Sequence, residues 1–278
     1  MQTNVTTFPV QSARHALAAK FLTYSAAVWL VVASIGQWLF GIYIFLFYGK
    51  TAVEGNFERW NKVLPHGYVA GDWKGNLVVG AHVLLAIIIV FGGPLQLIPA
   101  VRQRFPVFHR WLGRLYVVIA FLVSLAGVIM IWTRGGVGDM LQHVSISIQG
   151  VYIMVFAFLT FQYAKKRQFA LHRAWALRLF MVVNGVWFFR VGLMSWLVIN
   201  GGPAGFDPET FTGPFLTALS VFTYVVPLSL LVLELYFYAQ RKQQSILSFF
   251  ASGVIVLFTV IMGIGIIGAT MGMWLPRL

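Results

Sequence analysis

Six histidines stand in this chain, and four of them sit where long apolar runs begin. His82 lies in GAHVLL, His109 in FHRWLGRLYVV, His143 in LQHVSIS and His172 in LHRAWALRLFMVV. His109 follows His82 by 27 residues, and His172 follows His143 by 29. The first of each pair precedes valine and the second precedes arginine, so two copies of one hairpin are expected. Cysteine is absent. That excludes disulfides, thiolate metal sites, iron–sulfur clusters and haem attachment through C-x-x-C-H. A cofactor would have to be held by His, Met, carboxylate or backbone. His15 and His66 fall outside the apolar runs and read as solvated imidazoles.

The solvent of the fold follows from composition. Hydrophobic residues make up 59% of the 278 and charged ones 10%, more apolar surface than a soluble domain could keep from water. A helix needs about twenty apolar residues to cross roughly 30 Å of hydrocarbon. Seven such spans are predicted, at 21–48, 77–99, 109–132, 140–163, 174–199, 215–239 and 247–274, and none alternates like a barrel strand. The fold class expected is all-α: one polytopic transmembrane domain over 1–278. It divides into an N-terminal segment 1–20, span one, an outer loop 49–76, a four-helix core 77–199 (spans two to five), and spans six and seven within 200–278. Spans one, six and seven are expected at the periphery. The first run is too long for a cleavable leader and lacks a small-residue cleavage site, so span one should act as signal anchor.

The net charge of +13 does not indicate nucleic acid. With the N-terminus inside, Arg102, Arg104, Arg110, Arg114, Lys165, Lys166, Arg167, Arg173, Arg178, Arg241 and Lys242 all fall on the inner side. Six of the seven acids fall outside. This is the positive-inside bias, giving N-in, C-out and contact with anionic lipid.

In that topology His82 and His143 share the outer layer, and His109 and His172 the inner one. Parallel repeats pack about an axis along the membrane normal, which would bring each layer's imidazoles together. Two neutral imidazoles fill both axial positions of a haem and leave none open, a centre suited to electron transfer. About sixteen helical residues, roughly 24 Å, separate the layers. Haem propionates need cations. Arg110, Arg114, Arg173 and Arg178 surround the inner couple, and Lys74, Arg134 and Arg190 are the outer candidates. Arg190 is the strongest intramembrane charge, and such residues are functional by default.

Plainer readings exist for each feature. A His-Arg mouth taken singly is an interfacial anchor, with Trp111 and Trp175 in the aromatic belt. His82 alone would be a polar helix contact, and glycines such as Gly92, Gly127 and Gly150 serve helix packing. Met130, Met140 and Met154 could soften a copper or zinc site, though zinc asks for more ligands per layer and methionine more often fills core gaps. Glu234 could pair with Arg241 or reach the headgroups. Gln96, Gln149 and Asn184 read as interhelical hydrogen bonds. No nucleotide-binding, zinc-protease or acyl-transfer motif is present.

Spans two to five resemble the four-helix core of the diheme cytochrome b-561 carriers, in which one histidine per helix pairs two-with-four and three-with-five. FHRWLGRLYVV with LHRAWALR is more closely similar to an uncharacterised bacterial family of integral membrane proteins, over about residues 77–200. The resemblance implies His82, His109, His143 and His172 as ligands of two b-type haems. The chain departs from the b-561 pattern in having seven spans rather than six and no ascorbate-binding motif.

The function expected is transmembrane electron transfer, as an oxidoreductase or electron-carrier subunit of the bacterial inner membrane. A quinone is a compatible partner, since a His-Arg mouth with Trp and Tyr nearby could bond its carbonyl; other redox subunits or a second copy are compatible too. The rivals are a structural or assembly subunit of a larger complex and a small-molecule transporter. Broken helices at the midplane would mark the latter, with GGP at 92–94 and Pro227 as the sequence candidates.

Overall fold

The computed structural model describes residues 8–136 and 138–278, so the first seven residues of the N-terminal segment lie outside the described residues. Eleven α-helices follow in order: α1 Phe8–Ile44, α2 Lys50–Val53, α3 Trp73–Leu97, α4 Pro99–Arg104, α5 Pro106–Thr133, α6 Met140–Lys165, α7 Phe169–Val183, α8 Gly185–Asn200, α9 Pro214–Ser220, α10 Leu228–Lys242 and α11 Ser245–Ala269. No strand occurs among the described residues. Among the described residues, five continuous spans are long and apolar enough to cross a membrane, and two bent pairs, each taken as one span, bring the number to seven. The chain is an all-α, multi-pass membrane protein.

The bends have local causes. Helices α7 and α8 meet at 52° across Asn184, whose Nδ2 donates to the Phe180 carbonyl inside α7. The α9 segment meets α10 at 48° before Pro227, which has no N–H to continue the ladder. Each bend frees a backbone acceptor, and α6 answers both. Gln149 Nε2 donates to the Val182 carbonyl, and the Tyr152 hydroxyl donates to the Val225 carbonyl at 3.2 Å. The two donors are three residues apart, on one face of α6. The sequence candidate at 92–94 behaves differently: α3 continues through Pro94. Gly92 and Gly93 there let Leu112, Tyr116 and Phe180 come close.

Within 77–199, where a four-helix core is expected, four helices pack in a ring and α8 packs instead on α11. Helix α3 packs on α5, α5 on α6 and α6 on α7, with a lighter contact closing α7 onto α3. The diagonal partners are therefore α3 with α6 and α5 with α7. Helices α1 and α11 pack on each other and on α3 and α8.

One end of the bundle, called the loop end below, is pinned by polar side chains. Asp72 accepts from Gly75 N at the start of α3, and Asp139 from Gln142 N at the start of α6, both at 3.0 Å. Arg134, beyond α5, donates to the His66 carbonyl at 2.7 Å, Asp72 Oδ2 at 2.6 Å and Asn76 Oδ1 at 3.0 Å. The loop is thus tied to the bundle, and Trp60 is buried beneath it with Nε1 donating to Thr51 Oγ1.

The Gly75 amide first, and the Arg134 guanidinium second, hold the Asp72 carboxyl below its ordinary range. A carboxylate lowered in the folded state adds stability that is complete above its unfolded value and is lost as pH falls through the folded one. The loop 57–72 should therefore resist proteolysis at neutral pH and become cleavable as pH drops below about 4. Asp72→Asn should be cleaved readily at both pH values; equal resistance of variant and parent at neutral pH would disprove the clamp.

Candidate functional site

The four histidines were expected as two level couples, and the structure treats the layers differently. His82 Nδ1 lies 2.8 Å from the Val123 carbonyl of α5, and His172 Nδ1 lies 3.0 Å from the Thr160 carbonyl of α6. A carbonyl only accepts, so both Nδ1 atoms carry the proton, and Nε2 is the atom through which either ring could ligate. Metal-bound imidazoles are commonly oriented by the same kind of bond. His109 Nδ1 and His143 Nε2 are buried with no hydrogen-bond partner.

At the arginine end, His109 and His172 lie on diagonal helices within electrostatic reach of each other. Their depths agree. Tyr116, seven residues beyond His109, and Phe180, eight beyond His172, both reach Gly93 of α3.

At the loop end the couple is staggered. His82 is level with Val123 and Gly127, and the neighbouring Ser124 donates to the Gly150 carbonyl of α6 at 2.9 Å. His143 precedes Gly150 by seven residues, about 10 Å along the helix, and its ring lies by Gly136, beyond the end of α5. The two rings are not at one depth, so the outer couple as placed does not fit a shared iron. The sequence reading had assigned each helix start to a layer, whereas His82 sits more than two turns inside α3 and His143 in the first turn of α6.

The arginines also divide. Arg114 lies over Trp111 at 4.9 Å, and Arg178 over Trp175 at 4.8 Å, so the repeated mouths share an Arg–Trp stack. Arg178 is further held by Glu234, Nε to Oε1 at 2.6 Å; the sequence had offered Arg241 or the headgroups for that carboxylate. Arg110 and Arg173 are exposed. Lys74 is exposed beside Trp73, and Arg134 is committed to the loop clamp, so neither faces His82. Arg190 does reach the His82 side of the bundle.

Around His82 and Arg190 the structure forms a cavity of about 170 Å³. It reaches from Asn184, at the bend between α7 and α8, up to Val63 and Leu64 of the loop. The first and last spans, expected at the periphery, supply walls through Tyr43 of α1, Tyr48 just beyond it, and Trp274 and Arg277 beyond the end of α11. Sequence reasoning missed Tyr43, Trp187, Trp274 and Arg277; only Arg277, as a cation near the end of a span, carried a signal. Between α3 and α5 a second, lipid-side cleft of about 270 Å³ is lined by Leu77, Ala81, Leu85, Leu122 and Ala126, and it shares His82 and Val123 with the cavity. No group of three or more His, Asp or Glu side chains that could hold a metal occurs among the described residues.

Fold and site together define a multi-pass helical membrane protein with a four-helix histidine core and an apolar-walled cavity bearing two arginines at one end. Residues 79–209 match the family described as Predicted membrane protein (DUF2306). That stretch contains all four core histidines, and the resemblance to an uncharacterised membrane-protein family holds over it. No curated protein and no solved structure gives a significant match to the chain.

Proposed function

We propose that this protein is an electron carrier of the bacterial inner membrane that holds a b-type haem between His109 and His172. The observation that carries the reading is the state of these two rings. His172 donates Nδ1–H to the Thr160 carbonyl, which turns Nε2 into the atom available to a metal, while His109 has a buried, unpartnered Nδ1 on the diagonal helix. The similarity to the b-561 carriers points the same way. A haem held by two imidazoles supplies one-electron transfer without an open position for oxygen. This chain's part is to orient the rings, exclude water with Tyr116, Ile119 and Leu179 above them, and offer Arg110 and Arg173 to propionates at the headgroup level. A quinone or a redox subunit at the arginine end would exchange the electron.

The test is a reduced-minus-oxidised spectrum of the full chain purified after haem-replete expression. One six-coordinate low-spin component per chain is expected, where two level couples would give two. A colourless preparation overturns the reading.

A second reading, a small-molecule transporter, is favoured by the two bent spans whose freed carbonyls are met by Gln149 and Tyr152 beside the cavity. Vesicle flux with the colourless protein would support it.

A further inference from the structure

The cavity at the loop end carries positive charge with nothing to balance it. Arg190 and Arg277 both line it, and no Asp or Glu does. Neither arginine forms an ion pair among the described residues. Arg190 donates to the Val186 carbonyl of its own helix and lies over Phe40. Arg277 stands beside Tyr43, whose hydroxyl still has no hydrogen-bond partner of normal geometry. Two half-buried, unpaired cations on one apolar-walled cavity favour an anion there.

Further donors wait unused in the same walls. Trp187 and Trp274 are each 2% exposed, and among the described residues their indole N–H groups have no partner. Buried polar atoms are almost always satisfied, so a set of orphans around one cavity points to a ligand. Donors predominate in the set, which matches an acidic head with several acceptor oxygens.

The route in is equally specific. The apolar cleft between α3 and α5 lies on the far side of His82 and Val123, whose 2.8 Å bond forms the partition between cleft and cavity, while the clamped loop covers the top with Val63 and Leu64. The wall it shares with the lipid-side cleft is therefore one hydrogen-bonded pair of residues thick. At about 170 Å³ the cavity admits a head group and is smaller than the 300–1,000 Å³ of drug-sized sites.

We propose that this cavity binds the acidic head of a membrane-soluble amphiphile, a long-chain carboxylate or alkyl phosphate, whose chain crosses the His82–Val123 partition into the cleft between α3 and α5. The site is independent of the haem reading, because it uses neither His109 nor His172.

The test is equilibrium binding of radiolabelled palmitate, dodecyl phosphate and dodecanol to the full chain in nanodiscs. Saturable binding of both acids near one per chain, with none of the alcohol, is expected. Arg190→Gln and Arg277→Gln should each weaken acid binding about tenfold or more. Ala81→Trp, which fills the cleft, should weaken palmitate binding while leaving that of acetate unchanged. Equal binding of the alcohol, or intact binding in both arginine variants, overturns the anion site. Inorganic phosphate or acetate binding as tightly as the amphiphiles overturns the chain's role. Should Arg190→Gln not fold, the Arg277 and Ala81 variants decide. The haem spectrum of each variant should match the parent's, so failure of one proposal leaves the other standing.

Discussion

His109→Ala and His172→Ala should each abolish the low-spin haem component, whereas His82→Ala and His143→Ala should leave it. The size of the effect follows from coordination. Removing one of two axial imidazoles leaves an open position, so the sharp bands of a six-coordinate centre collapse and haem retention falls steeply. The asymmetry between layers follows from depth: Gly93 reaches the helices of both inner histidines, while His143 is about two turns from the level of His82. His109→Met adds a readout that a merely structural histidine would not give. It should keep a six-coordinate centre and raise its potential, as Met/His ligation does. Potentiometry together with spectra of the four alanine variants decides. Loss of a component in His82→Ala and His143→Ala alike would restore the two-haem cage.

The second large effect lies at the junction of α8 and α11. A Cβ added to Gly265 would stand 2.1 Å from the Val191 carbonyl oxygen and 2.4 Å from Ser195 Oγ. The first obstacle is backbone and cannot rotate away. Ser195 also links the two helices, with Oγ 2.7 Å from the Ile261 carbonyl and 2.9 Å from that of Val191. Small residues permit this close approach, and membrane helices rely on it because lipid offers no hydrophobic drive for association. Gly265→Leu should cost about 1–3 kcal/mol or more through overpacking. Ser195→Ala should cost about 1 kcal/mol. Gly263, two residues away, meets nothing within 4 Å, so Gly263→Ala should be neutral or gain up to about 1 kcal/mol of helix propensity. Denaturation midpoints in a fixed detergent check all three. A Gly265→Leu protein as stable as its parent would mean the helices are not in this contact.

Much of the architecture was legible because each signal was local. Apolar runs of spanning length, arginines at one set of ends and acids at the other need only the chain to be read in order. The repeated His-Arg mouths were also visible, and they reappear as matched Arg114–Trp111 and Arg178–Trp175 stacks. Depth was harder. His82 and His143 look alike in sequence, since each follows a polar turn and precedes valine. The Asp72 and Asp139 caps fix where each helix starts, and that leaves one histidine ten residues past its cap and the other four. The break at Asn184 was missed because Asn-Gly within an apolar run gives a weaker signal than proline, while Pro94 gave a stronger signal than its effect.

Sequence by itself determined that this chain crosses a membrane as helices, which ends carry the arginines, and which four histidines stand on the helices of the 77–199 stretch. These follow from hydropathy, charge and period, properties that each segment holds alone. Only tertiary structure decided which imidazoles share a depth, which cations are already paired, and that Tyr43, Trp187, Trp274 and Arg277 surround one cavity. Those depend on helix register across the bundle and on residues more than two hundred positions apart, which no local pattern encodes.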